Sequence, residues 1–327
     1  MATVLVTGGA GYVGSHACKA LAATGHTPIV FDNFRTGWRQ AVQFGELIDG
    51  DLLDPASLDV AMERARPEAV MHFAALSLVG ESAENPALYW RNNVVGSMNL
   101  LDAMARAGVR RLVFSSTAAV YGLPEADTLT EATATSPINT YGRTKLAVER
   151  MIGDYAAASD LSAVIFRYFN VAGADPAAKI GEHHVPETHL IPIVLDVAAG
   201  DRPELAINGD DYATPDGTCI RDYIHAMDLA DAHVLGLGHL MDGGPSETLN
   251  LGTGSGFSVK EVVDAAEAAT GLKVARRVGP RRPGDPPKLV SSPERARRLL
   301  GWRHDRSTLD QMIAHAWAWR ATGLYDS

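Results

Sequence analysis

The stretch that most constrains the fold is Gly8-Gly9-Ala10-Gly11-Tyr12-Val13-Gly14, set between an apolar run and an amphipathic one. Thr3 to Thr7 reads as a short buried strand, continuously apolar and ended by glycines. A helix is expected from there to about Thr24, with Val13, Ala17, Ala20 and Leu21 on one face and Gly25 as its stop. Pro28 to Phe31 reads as a second strand, with Asp32 at its end. Strand, glycine turn, helix, strand and acid within about 30 residues is the context a dinucleotide site needs. Gly8 permits the tight turn, Gly11 lets backbone amides approach a pyrophosphate, and Gly14 lets helix and strand pack closely. The pyrophosphate then sits at the positive end of the helix. Asp32 is placed to accept hydrogen bonds from ribose hydroxyls and to repel a 2′-phosphate, which favours NAD over NADP.

The alternation continues down the chain. Glu46 to Asp49 is strand-like, and Asp51 and Leu52 follow where a short acid meets an adenine. Pro55 to Arg66 is helical, Ala69 to His72 a strand, and Phe73-Ala74-Ala75 puts small residues where backbone approaches a cofactor. His72 reads as a packed structural histidine. Pro86 to Ala107 is expected as one long helix stopped by Gly108, and Arg110 to Ser115 as a fifth strand ending in Ser115-Ser116-Thr117. Ala163 to Arg167 is a sixth. Strands alternating with helices imply an α/β fold, a Rossmann-type doubly wound parallel sheet with ligands at the strands' carboxyl ends. Gly8, Asp32, Asp51, Phe73, Thr117 and Tyr168 all fall at such ends.

Between the fifth and sixth strands stands Tyr141-Gly142-Arg143-Thr144-Lys145. Val148, Met151, Ile152 and Tyr155 mark the following run as a helix, so Tyr141 and Lys145 lie one turn apart on one face. A free tyrosine titrates near pH 10, and a cation held close favours its ionised form. The pair therefore suits proton transfer to and from an alcohol. Such pairs are also ordinary surface features, and the weight of this one comes from its neighbours.

After Tyr168 the pattern is less regular and reads as a smaller mixed α/β domain for substrate. Residues 1–167 are taken as the cofactor domain, with residues 218–251 returning to it, and 168–327 as mainly the second domain. Asp175 to Thr188 reads as a polar loop whose adjacent His183 and His184 lack metal-ligand spacing and are expected at the surface. Thr218 to Ile224 reads as one strand, and Thr248 to Leu251 as a strand added to the main sheet. Arg276 to Pro287, rich in arginine and proline, reads as a loop and a candidate phosphate clamp. Trp317 on the last helix is expected in packing.

The bulk numbers exclude other classes. A chain of 327 residues, 46% hydrophobic, can bury a large core. Its formal net charge of −10, with no basic block, argues against nucleic acid or an anionic membrane as partner. No apolar run approaches the roughly 20 residues that span a bilayer. Cys18 and Cys219 are the only cysteines, so no disulfide framework is expected. The N-terminus enters the fold at once, without a signal-peptide pattern, and the expected location is the cytoplasm.

The motifs TGGAGYVG, FSSTAAVYG (Phe114 to Gly122), YGRTK, RYFN (Arg167 to Asn170), CIRDYIHAMDLA (Cys219 to Ala230) and RRPGDPP (Arg281 to Pro287) resemble the extended short-chain dehydrogenase/reductase superfamily. Within it they are similar to the UDP-glucose 4-epimerase family, from Val4 to about Trp302. The resemblance implies that Tyr141 is the base, that Lys145 holds the nicotinamide ribose, and that Thr117 hydrogen-bonds the reacting hydroxyl. It assigns Tyr12, Val13, Asn33, Leu52, Ala74, Ala75, Asn92 and Ser115 to NAD alongside the residues above. Tyr168, Phe169 and Asn170 would lie near the nicotinamide and sugar. Arg221, Arg282 and Asp285 would grip the diphosphate and uridine ribose, with His189, Leu190, Asn208 and Tyr223 also on the substrate. Leu289 falls where relatives set sugar size. A homodimer through Pro86–Ala107 and Tyr141–Ala158 is implied as well.

The implied reaction exchanges UDP-glucose and UDP-galactose through a 4-keto sugar. UDP-pentoses or UDP-N-acetylhexosamines are the alternatives. Thr117 stands where many such epimerases have serine, Ser77 where some have lysine, and His189 where some have asparagine. A dehydratase of this fold carries Asp-Glu after the threonine, and a decarboxylase a glutamate. Ala118 and Ala119 hold those places here and cannot transfer protons. A non-catalytic NAD sensor on this scaffold would be expected to lose the Tyr–Lys pair.

Overall fold

Apolar residues run without alternation through the early strands, and the computed structural model shows why: helices cover both faces of the sheet they form. It describes residues 1–123, 126, 128–282 and 285–325. The strands β1 (Thr3–Thr7), β2 (Thr27–Asp32), β3 (Glu46–Asp49), β4 (Ala69–His72), β5 (Arg111–Ser115) and β6 (Ser162–Tyr168) pair in parallel. Later come β7 (Asn170–Ala172), β8 (Leu205–Asn208), β9 (Ile220–Arg221), β10 (Tyr223–His225) and β11 (Glu247–Leu251). The last of these rejoins the large sheet beside β6, giving the seven-stranded order β11-β6-β5-β4-β1-β2-β3. Strand order reverses between β1 and β4, which places the ligand crevice at their carboxyl ends.

Helices α1 (Tyr12–Ala23), α2 (Pro55–Ala65), α3 (Val79–Glu84), α4 (Pro86–Tyr89), α5 (Gly96–Ala107), α6 (Thr140–Ala158), α7 (Leu190–Ala199) and α8 (Ala226–Met241) follow the strands. Val4, Val6, Val30 and Val113 face one side and pack on Leu21 of α1 and Leu237 of α8. Leu5, Ile29, Val70 and Leu112 face the other, against Leu58 of α2, Leu100 of α5 and Ile152 of α6. Each such side chain taken from water stabilises the fold by about 1.5–3 kcal/mol. A third core joins α7 to α9 (Val259–Thr270) and, beyond α10 (Glu294–Leu300), to α11 (Leu309–Arg320), through Val194, Val262 and Met312. Trp317 packs at its margin. No helix among the described residues is long and apolar enough to cross a membrane.

Several local expectations need correction. The helix expected over Pro86 to Ala107 is interrupted by a π-helical turn at Trp90–Val95. That turn aims Asn93 inward, where its amide donates to the Leu76 carbonyl (3.0 Å) and to Thr144 (3.1 Å) and accepts from the Leu76 amide (2.9 Å). The strand expected over Thr218 to Ile224 splits at Asp222. Its buried carboxylate accepts from Thr253 N (2.8 Å), Thr253 Oγ1 (2.7 Å) and Ser291 N (3.1 Å), so β9 and β10 leave for different sheets. The loop expected over Arg276 to Pro287 begins as a strand, Arg276–Gly279, paired in parallel with β8. It is largely exposed and carries no apolar alternation, so only main-chain pairing defines it. Pro283 and Gly284 of that stretch lie outside the described residues.

Candidate active site

A cavity of about 1170 Å³ opens along the carboxyl ends of the large sheet's strands. Its floor is the glycine turn. Gly8 has φ of +74°, and a Cβ there would stand 2.6 Å from the Ala74 amide nitrogen, so the β1 turn touches the end of β4 backbone to backbone. A Cβ on Gly14 would meet the Gly8 carbonyl oxygen at 2.1 Å, which confirms close helix packing as that glycine's role. No side chain caps α1, and Gly11, Tyr12 and Val13 line the cavity at its start. A diphosphate fits there, at the helix's positive end.

Asp32 lines the same cavity. Its carboxylate accepts from the Ala10 amide (3.0 Å) and the Phe34 amide (2.8 Å), which holds it at the turn while burial raises its pKa. Each carboxylate oxygen retains a lone pair for a ribose hydroxyl. Asn33 donates to Asp51 (3.0 Å) beside Leu52, and both walls belong to the cavity. Phe73, Ala74, Ala75, Asn92, Ser115 and Tyr168 complete this half. The Tyr168 hydroxyl shares a hydrogen bond with Ser115. His72 is structural as expected, bonded to Thr7 (2.7 Å) and Ser97 (2.9 Å).

Tyr141, Lys145 and Thr117 meet in the middle. Asn139 caps α6 by accepting from the Gly142 amide at 2.8 Å. Gly142 itself lies so near the strand-five loop that a Cβ would be 2.6 Å from the Ala119 carbonyl oxygen. Tyr141 is thereby brought to the cavity wall that Thr117 also lines, with the threonine hydroxyl acting to lower the tyrosine's pKa. Lys145 is buried, donates to the Ser115 carbonyl at 2.7 Å, and lies 4.8 Å from the Phe114 ring centroid.

One electrostatic expectation is reversed. Burial pushes Tyr141 up to about 12, with only the Thr117 hydrogen bond pulling it down. Burial likewise lowers Lys145 to about 7, with Glu149 opposing. The lysine is directed to a backbone carbonyl, and burial outweighs the lowering that Thr117 supplies to the tyrosine. A positive charge brought by a cofactor held by the cavity's residues would favour the phenolate.

Glu149 and Arg167 form a buried pair next to this centre that sequence reasoning did not single out. Glu149 follows Tyr141 and Lys145 at the next turn of the same face, a spacing that could have found it. Its carboxylate takes two hydrogen bonds from the Arg167 guanidinium (3.0 and 2.5 Å) and one from Ser116 (2.5 Å). Glu149 is close enough to Lys145 to oppose the lowering of its pKa by burial.

On the other side, Phe169, Asn170, His189, Arg282, Asp285 and Leu289 line the cavity. Leu190, Asn208, Arg221 and Tyr223 do not. Leu190 packs at the third core, Tyr223 is buried within it, and Asn208 is exposed at the end of β8. Arg221 bonds Asp285 and its neighbour's carbonyl, so it positions the aspartate from behind. His184 is another departure. It is half-buried against Glu182, Glu187 and His189 and lines the cavity, where a surface position was expected.

The NAD dependent epimerase/dehydratase family matches residues 4–252 of the chain. A UDP-glucose 4-epimerase of Rhizobium leguminosarum bv. trifolii is 48% identical over 321 residues, covering 98% of this chain and 97% of its own. The crystal structure of UDP-glucose 4-epimerase from Brucella ovis in complex with NAD is 50% identical, covers 96% of this chain and 97% of that one, and has a TM-score of 0.95. The enzyme from Stenotrophomonas maltophila, with bound NAD and formylated UDP-arabinopyranose, is 42% identical with a TM-score of 0.96 over 100% of both chains. The class is therefore that of NAD-dependent epimerases and dehydratases. Within that class, the chain belongs to the UDP-glucose 4-epimerase family.

Proposed function

We propose that this chain epimerises UDP-sugars at C4, with UDP-glucose and UDP-galactose as the main pair. The observation that carries the reading is the meeting of Tyr141, Thr117 and Lys145 in one cavity with the glycine turn and Asp32. NAD, when bound, supplies the acceptor and later the donor of the C4 hydride. Thr117 holds the C4 hydroxyl, and Tyr141 takes its proton as the 4-keto sugar forms and returns it after the sugar has turned over. Arg282 and Asp285 hold the UDP half, so the sugar half is free to rotate. Ala118 and Ala119 supply no second acid–base pair, and elimination does not compete. Purified protein is expected to release NAD on denaturation and to interconvert UDP-galactose and UDP-glucose without added cofactor. Release of NADP would overturn the role given to Asp32.

A second reading, a UDP-pentose epimerase, is favoured by one observation: the Stenotrophomonas relative holds a UDP-arabinopyranose derivative. Leu289 lines the cavity and offers shape without a hydrogen bond. Discrimination by apolar shape alone is worth about 1–3 kcal/mol. UDP-N-acetylgalactosamine and UDP-xylose should therefore turn over measurably but more slowly than UDP-galactose. Leu289→Tyr should narrow that range, as read from kcat/KM for the three sugars. An unchanged profile removes Leu289 as the gate, and a wild-type preference for UDP-xylose replaces the hexose assignment.

We also propose that two copies pair through the faces of Pro86–Ala107 and Tyr141–Ala158. Trp90, Val95 and Met98 are exposed large apolar residues on the first of these. A dimer is expected by light scattering at micromolar concentration, and a monomer would rule this out.

A further inference from the structure

The segment leading into α7 carries a cluster of two glutamates and two histidines, of which only His189 is implied on the substrate. We propose that Glu182, His184, Glu187 and His189 form a closed structural site for one zinc-class divalent cation. One donor atom from each lies within 4.8 Å of the others. His184 Nδ1 is 3.3 Å from Glu182 Oε1 and 3.6 Å from Glu187 Oε2. His189 Nδ1 is 3.0 Å from Glu182 Oε1 and 3.0 Å from Glu187 Oε1. Two ligands of a tetrahedral zinc ion, each about 2.1 Å from it, stand about 3.4 Å apart. The four histidine–carboxylate separations bracket that value, and with all four donor atoms within 4.8 Å of one another the set has to contract by at most about 1.4 Å to close on an ion.

The chemistry of the donors agrees. Two imidazole nitrogens and two carboxylate oxygens suit zinc, whereas magnesium and calcium take oxygen ligands. Four protein ligands leave no open position, the mark of a structural site. The Glu182 and Glu187 side chains are only 7% and 12% exposed. Two carboxylates buried side by side need compensating charge or a metal. Among the described residues their ion pairs go to these two histidines and to no lysine or arginine. Glu187 Oε1 also accepts from the Thr188 and His189 amides, each at 2.7 Å, which fixes its orientation. The Nδ1 of His184 is shut off from solvent yet makes no well-directed hydrogen bond. In sequence the ligands read Glu-x-His-x-x-Glu-x-His, a pattern hidden by the extra His183.

The position gives the ion a use. Glu182, His184 and His189 line the large cavity, while Glu182, His184 and Glu187 also line a second cavity of about 320 Å³ behind it. His184 meets the Tyr12 ring edge-on, with centroids 6.4 Å apart, at the first residue of α1. A cation here ties the start of α7 to the wall beside the glycine turn.

The test is zinc chloride titrated into chelator-treated full-length protein, followed by calorimetry, metal analysis after dialysis, and thermal unfolding. One zinc per chain and a higher Tm are expected, with at least a 10-fold weaker affinity in His184→Ala and in Glu187→Gln. Circular dichroism checks that both variants fold, and the conservative Glu187→Gln carries the test should His184→Ala not fold. No retained zinc in the parent protein overturns the site, as does equal binding in parent and folded variant. Either result would leave the cluster as metal-free imidazolium–carboxylate pairs. Magnesium chloride binding as tightly as zinc would overturn the zinc-class assignment. These readouts are metal content and unfolding, so they stand apart from the epimerase reading.

Discussion

Tyr141→Phe is expected to turn over UDP-galactose at least about 100-fold more slowly than the parent protein, with NAD retained and UDP binding little changed. The substitution keeps the ring at the cavity wall and removes only the hydroxyl, whose pKa Thr117 acts to lower. The two other groups at the centre are engaged elsewhere, Thr117 accepting from the Ala119 amide at 3.1 Å. Thr117 is an alcohol, and Lys145 donates to the Ser115 carbonyl. With its pKa pushed up to about 12, the tyrosine would be ionised in roughly one molecule in 100,000 at pH 7. The base therefore depends on positive charge arriving with the bound cofactor, which favours the phenolate. Adding NAD to cofactor-free protein should shift the tyrosine titration downward, read from its ultraviolet absorbance against that of Tyr141→Phe. Parent-like turnover in the phenylalanine variant would remove the central assignment. Loss of UDP binding as well would point to a collapsed cavity in place of a missing base.

What could be read in advance was whatever a single segment requires for itself. Gly8 and Gly14 are legible because a Cβ at either would collide with backbone. The position of Asp32 follows from the strand that ends there. Tyr141 and Lys145 are legible because helical periodicity alone puts them on one face. The parts that escaped are tertiary. The π turn at Trp90–Val95 is set by what Asn93 reaches, Leu76 and Thr144, and neither is local. The Arg276–Gly279 strand exists through its pairing with β8 and has no buried face to leave a pattern. Arg221, implied on the diphosphate by the resemblance, pairs here with Asp285, a partner 64 residues away that no local pattern announces. The histidines at 183 and 184 hid a wider spacing, because attention to adjacent residues obscures a cluster spread from 182 to 189.

The largest expected effect on stability is at Glu149. Glu149 and Arg167 are 7% and 8% exposed, and each is the other's main charge partner. Arg167 also donates to the Tyr121 hydroxyl at 3.0 Å, which in turn donates to Asn250 at 2.7 Å, so the pair anchors a chain of buried polar groups. Glu149→Gln keeps the shape and removes the charge, leaving a guanidinium buried without a carboxylate. Breaking such a pair costs about 3–5 kcal/mol. The amide retains some of the hydrogen bonds, so about 3 kcal/mol is expected, seen as a Tm several degrees lower. Replacing both partners with apolar residues, Glu149→Leu with Arg167→Met, should recover most of that loss, because no unpaired guanidinium remains. Packing alone would not predict the second signature. Glu149 is the group that opposes the burial of Lys145, whose pKa lies near 7. Without it the lysine loses its proton at lower pH, so any dependence of kcat on charged Lys145 falls off at a lower pH than in the parent. A variant with the parent's Tm and an unshifted pH profile would show that Glu149 supports neither the fold nor the lysine.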